Sequence, residues 1–133
     1  MLARTTGRAA AVLLVAEGLG ILALLVWQIG ALFAGDTAVL TTAIALAVLT
    51  AIGAAAVLAF GVATWRERSW GRSGGVVTQL LILAVALGAI TGAFAAPGIA
   101  LALAAPAVVT LVLLAMTVRA SAPPREDRAG GDA

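Results

Sequence analysis

The sequence predicts an all-α membrane protein, a four-transmembrane-helix antiparallel bundle with both ends of the chain on the cytoplasmic side. Three observations predict it. The chain is 63% hydrophobic and only 11% charged over 133 residues, with a mean hydropathy of +1.16. A soluble domain is about 45–50% apolar and about one-quarter charged, and one this small has too little interior to hide such an excess. The apolar residues gather into four stretches, each of about the 20 residues a helix needs to cross hydrocarbon at about 1.5 Å per residue. All eight Arg residues lie outside those stretches.

The first helix is expected over residues 9–33. It reads AAAVLLVAEGLGILALLVWQIGALF, interrupted only by Glu17 and Gln28. Arg4 and Arg8 precede it in the manner of a signal peptide. The run is longer than a signal peptide's apolar region and lacks a small-x-small cleavage site, so it is expected to remain as a span. The second helix is expected over 38–63, after Gly35-Asp36-Thr37, where Asp36 or Thr37 offers a cap. The third is expected over 76–96, with Ser73 as its cap, and the fourth over 99–118, after Pro97-Gly98. Pro106 lacks an amide proton and is expected to kink the fourth helix. Residues 1–120 form one transmembrane domain. The tail 121–133, SAPPREDRAGGDA, has nothing apolar to pack and is expected to be a disordered cytoplasmic segment. Short alternating strands of the kind a membrane barrel needs are not visible in the sequence.

Orientation follows from charge. Arg4 and Arg8 precede the first stretch, Arg66, Arg68 and Arg72 lie between the second and third, and Arg119, Arg125 and Arg128 follow the fourth. Basic residues mark the cytoplasmic face, which places the central connection and both ends inside and the two tight turns outside. Trp65 and Trp70 flank the central connection, at the depth where indole rings favour the headgroups. The plasma membrane is the expected location.

The same composition removes many chemistries. The chain has no Cys, His or Tyr, so disulfides, thiolate nucleophiles and the usual ligands for haem, zinc and copper are missing. No phosphate-cradling loop, paired carboxylates or nucleophile constellation appears, and no cofactor or metal is expected. The basic pI comes from Arg residues at membrane boundaries and is not a nucleic-acid footprint.

Glu17 is the acidic residue inside a span. Counted from Ala9 it lies roughly 12 Å from the inner edge. A bare carboxylate there costs several kcal/mol, so it must be neutral, paired or turned toward water. Thr110 lies at a matching depth on the fourth helix, Gln79 about one turn nearer the cytoplasm on the third, and Ala55 level with Glu17 on the second, where its small size leaves room. These residues are candidates for an intramembrane polar site, used either for a proton, cation or ligand or for an interhelical hydrogen bond. Gln28, farther out, is expected to act as polar glue, with Thr42 or Thr91 as partners. Arg66, Arg68, Trp70 and Arg72 are candidate contacts for anionic lipid headgroups. Two stripes of small residues repeat every four positions. One comprises Ala84, Gly88, Gly92 and Ala96, and the other Ala43, Ala47, Ala51, Ala55, Ala59 and Ala63. Gly88 and Gly92 in particular suit close helix packing, inside the bundle or, alternatively, in a homo-oligomer or against a membrane-protein partner.

The stretch Arg68–Leu81, RSWGRSGGVVTQLL, resembles a motif of an uncharacterised family of small four-helix integral membrane proteins of actinobacteria. There a basic, Trp-containing loop of the type R-x-W-A-R-S-P leads into V-V-x-Q-L-L. Arg68, Trp70, Arg72, Ser73, Gln79 and Leu80 match, whereas Gly71 replaces the Ala and Gly74 the Pro. The Gly74 departure implies a looser start to the third helix. The resemblance implies the four-span layout and no activity. Ala16-Glu17-Gly18-Leu19-Gly20 is also similar to the A-E-x-x-G of the small multidrug resistance transporters, which use that carboxylate for proton and cation exchange. This chain departs from them in its lack of Tyr, its longer basic connection and its one-sided charge. The function expected is that of a non-enzymatic structural or accessory membrane protein. The alternative is a small proton- or cation-coupled exporter working through Glu17.

Overall fold

A computed structural model describes residues 2–92 and 95–121; the expected tail lies outside the described residues, apart from Ser121. Four helices follow one another, α1 (Leu2–Ala34), α2 (Leu40–Trp65), α3 (Ser69–Thr91) and α4 (Pro97–Ala120). All four are long and apolar enough to cross a membrane. α1 packs on α2 and α4, and α3 packs on α2 and α4. The result is an up-down-up-down ring in which α1 and α3 occupy one diagonal.

The bundle keeps its large apolar side chains outside. Phe33 is 90% exposed, Trp27 70% and Leu101 69%. Lipid tails solvate such a surface as well as a protein interior would, so helix association here rests on close packing and hydrogen bonds. The interior is made mostly of Ala and Thr, with Leu14, Val57 and Leu114 packed around Ala10 at its centre.

The buried positions do not follow the four-residue stripes. On α2 they include Ala47, Ala54, Val57, Gly61 and Thr64, and on α4 Ala100, Ala107, Thr110, Leu114 and Thr117. Both series step by seven, three, four and three, the seam of left-handed helix packing. A stripe of constant four-residue steps turns about 40° per step around a helix of 3.6 residues per turn. It therefore cannot stay on one face. Ala47 and Ala63 are buried, but Ala55 and Ala59 are exposed.

Helix ends differ from those the sequence suggests. α1 begins at Leu2, so Arg4 and Arg8 are helical. At its other end Gly35 has φ +74, and the amide of Asp36 donates to Ala31 O (3.1 Å) while that of Gly35 donates to Leu32 O (3.3 Å). This is a Schellman cap, which needs a left-handed residue and takes glycine readily. Asp36 is thus part of the exit from α1. The N-cap of α2 is Val39, with no side-chain cap bond, so neither Asp36 nor Thr37 caps that helix.

The central connection contracts to residues 66–68. α3 begins at Ser69, which puts Trp70, Arg72 and Ser73 inside the helix, and Ser73 Oγ donates to Ser69 O (3.3 Å) instead of capping. The same hydrogen-bond pattern closes α2. The Glu67 amide donates to Thr64 O (3.0 Å) and the Arg68 amide to Ala63 O (2.9 Å). Here the left-handed residue is Glu67, at φ +58, without glycine's freedom.

A glycine instead sets the approach of α3 to α2. A Cβ on Gly71 would stand 2.6 Å from both the Ala63 Cβ and the Thr64 backbone nitrogen. Gly71 and Gly75 are both buried. The close-packing glycine pair of α3 is therefore Gly71–Gly75 at its Arg-rich end. Gly88 is exposed, and among the described residues a Cβ there would meet nothing within 4 Å and a Cβ on Gly92 would meet Gly88 O alone. The expected packing role of Gly88 and Gly92 inside the bundle does not hold. α3 stops at Thr91, short of the expected residue 96, and Pro97 is the first residue of α4, where its missing amide proton costs nothing. α4 runs on through Pro106.

Candidate functional site

Three of the four polar candidates meet. Gln79 Nε2 donates to Glu17 Oε2 at 2.6 Å, and Thr110 Oγ1 lies 3.2 Å from Glu17 Oε1. Gln79 and Thr110 are fully buried and Glu17 is half-buried. The cluster joins α1, α3 and α4, and the Glu17–Gln79 bond runs along the bundle diagonal.

Gln79 and Thr110 lie at equal depth. Because α3 starts at Ser69, Gln79 lies about 15 Å inside that helix, and Thr110 lies about 15 Å from Ala120 on α4. Both α1 and α3 start seven residues earlier than expected, at Leu2 and Ser69, so the five-residue difference in count between Glu17 and Gln79 persists. Ala55, expected beside Glu17, is exposed; α2 contributes Ala54 and Val57 to the interior instead.

Donors and acceptors in the cluster are unequal. Thr110 Oγ1 is also 2.9 Å from Pro106 O, and a hydroxyl has one proton to give. Gln79 Oε1 is buried without a partner. The three side chains thus offer more oxygen acceptors than protons, an arrangement able to hold one more proton or a small cation. Among the described residues, no group of three or more His, Cys, Asp or Glu gathers for a metal.

Gln28 stays apart, about 16 Å along α1 from Glu17. Its Oε1 is buried without a partner, and Thr91 donates to Leu87 O of its own helix (3.0 Å). The expected bond between Gln28 and Thr91 is not formed.

The four expected headgroup contacts divide in two. Arg66, Arg68 and Trp70 line a groove with Leu58 and Val62 on the outer face of α2. Trp70 sits edge-on to Phe60, with centroids 6.0 Å apart. Arg72 lines a different pocket, together with Arg4, Arg8, Thr64 and Glu67. Sequence reasoning missed Arg4, Arg8, Thr64 and Glu67 as site residues. One signal was available: Arg4 and Arg8 stand four apart, hence on one face once the helix extends to them.

Compared with protein families, with curated proteins and with solved structures, the chain matches none of them.

Proposed function

We propose that this chain is a multi-pass protein of the plasma membrane with a non-enzymatic structural or accessory role, its Arg-rich end facing the cytoplasm. One observation carries the reading: both oxygens of the intramembrane carboxyl of Glu17 are engaged by neutral groups from two other helices. Such a cluster ties helices together where the hydrophobic effect does not. The accessory role places a second copy or a membrane-protein partner against the exposed face of α3 that carries Ala84 and Gly88. Membership of the actinobacterial four-helix family belongs to the same proposal and adds no activity to it.

A second reading is favoured by the unpartnered Gln79 Oε1. A spare acceptor beside a carboxyl suits transient binding of a proton or cation, and so a small exporter. Reconstituted vesicles separate the two readings. A structural cluster predicts no proton-driven movement of lipophilic cations by the wild-type chain, and a folded Glu17→Gln variant. An exporter predicts such movement, abolished by the same substitution without loss of fold. Crosslinking to a partner that disappears when Gly88 is changed to Leu supports the accessory role; an unchanged crosslinking pattern removes Gly88 as the contact.

A further inference from the structure

The pocket of about 90 Å³ at the Arg-rich end is built unlike the rest of this apolar molecule. Three guanidinium groups, Arg4, Arg8 and Arg72, and one carboxylate, Glu67, line it, an excess of two positive charges. Each group has a contact on the protein. Arg4 Nε pairs with Glu67 Oε1 at 3.2 Å, Arg72 donates from Nη1 to Glu67 O at 3.4 Å, and Arg8 lies over the Trp65 ring, 5.5 Å from its centroid. A guanidinium has five N–H donors, so these contacts leave most of each fork for a ligand.

Thr64 supplies an independent sign. It lines the same pocket, is only 3% exposed, and its Oγ1 has no hydrogen-bond partner. Thr50, Thr78, Thr91, Thr110 and Thr117 all donate to the carbonyl four residues back. Thr64 does not, and a buried hydroxyl left unsatisfied is destabilising. A ligand oxygen in the pocket would remove that cost.

The backbone points the same way. Glu67 holds a left-handed conformation, uncommon for a residue other than glycine. Its side chain pairs with Arg4 and its carbonyl accepts from Arg72. Such conformations occur at helix C-termini and also cluster at functional sites, and Glu67 is in both settings.

We propose that the pocket binds a phosphate group, as an anionic phospholipid headgroup or a free phosphate, through Arg4, Arg8 and Arg72 with Thr64 as an additional hydrogen-bonding partner. Phosphate suits it better than carboxylate. It carries up to two negative charges against the excess of two, and its tetrahedral oxygens can meet several guanidinium forks and a hydroxyl together. The site does not depend on Glu17, and its failure or success leaves the reading of that carboxyl untouched.

Native mass spectrometry of the full chain in neutral detergent tests this, with inorganic phosphate in one arm and short-chain phosphatidic acid in the other. One equivalent is expected to bind in at least one arm. Binding of phosphatidic acid alone marks a headgroup site. Inorganic phosphate that binds and displaces the lipid marks a site for free phosphate. The double variant Arg4→Gln/Arg72→Gln is expected to bind roughly tenfold more weakly. Thr64→Val, which keeps every charge, is expected to weaken binding as well, and Arg66→Gln/Arg68→Gln to leave it unchanged. Absence of binding by the wild-type chain in both arms overturns the proposal. So does a loss in Arg66→Gln/Arg68→Gln equal to that in the first double variant, since diffuse charge then accounts for it. If the Arg4/Arg72 variant does not fold, Thr64→Val decides: binding equal to wild type overturns the site.

Discussion

Glu17 and Gln79 form a hydrogen bond of 2.6 Å between the two helices that face each other across the bundle's diagonal. Ala, Leu and Val make up much of the surrounding interior, and Thr110 is the one other polar side chain in contact with Glu17 among the described residues.

Interhelical hydrogen bonds in membranes average about 0.6 kcal/mol and reach about 1.7. Gln79→Leu is expected at the upper end of that range, because it leaves a carboxyl oxygen without its donor. Thr110→Val is expected to cost less, since the Thr110 hydroxyl divides one proton between Glu17 Oε1 and Pro106 O. Unfolding in mixed micelles with increasing SDS gives the ranking. Equal stability of Gln79→Leu and wild type would show that the diagonal bond contributes nothing.

Two glycines on α3 are expected to respond in opposite directions to the same methyl group. Gly71→Ala places a Cβ against the α2 backbone at Thr64 and is expected to destabilise by about 1–3 kcal/mol. Gly88→Ala meets open space and is expected to stabilise α3 by up to about 1 kcal/mol through helix propensity. Thermal melts of the two variants in one detergent check the sign of each.

Glu67→Gly separates backbone conformation from ion pairing. Relief of the left-handed strain is worth about 1–2 kcal/mol. The lost pair with Arg4 is largely exposed, with 76% and 60% of the two side chains open to solvent, and such pairs contribute about 0–1 kcal/mol. The variant is expected to be as stable as wild type or slightly more so. A marked fall in melting temperature would show that the ion pair outweighs the strain.

Cysteine labelling tests the orientation. A Cys at Thr37, in the turn after α1, is expected to react with an impermeant maleimide added outside intact cells. A Cys at Ser121 is expected to react only after permeabilisation. The reverse pattern would invert the bundle.

Four apolar runs and one-sided Arg placement made the helices and their alternation legible, because lipid imposes length and backbone satisfaction segment by segment. Helix ends were less legible. Arg4, Arg8, Trp70, Arg72 and Ser73 read as loop by polarity, yet a helix long enough to leave the hydrocarbon simply continues into the headgroup region. That misplacement hid the face shared by Arg4 and Arg8.

By itself, then, the sequence determined the number of helices, their alternation and the candidacy of Glu17, since each depends on the local composition of one segment. The tertiary structure decided which side chains meet. It brought Glu17 to Gln79 across a diagonal, put Gly71 rather than Gly88 in the tight interface, and gathered Arg4, Arg8, Arg72 and Thr64 around one pocket. Those outcomes depend on the rotation and depth of each helix against its neighbours. In a chain this rich in Ala and Leu, many faces are equally apolar, and only the packed bundle selects among them.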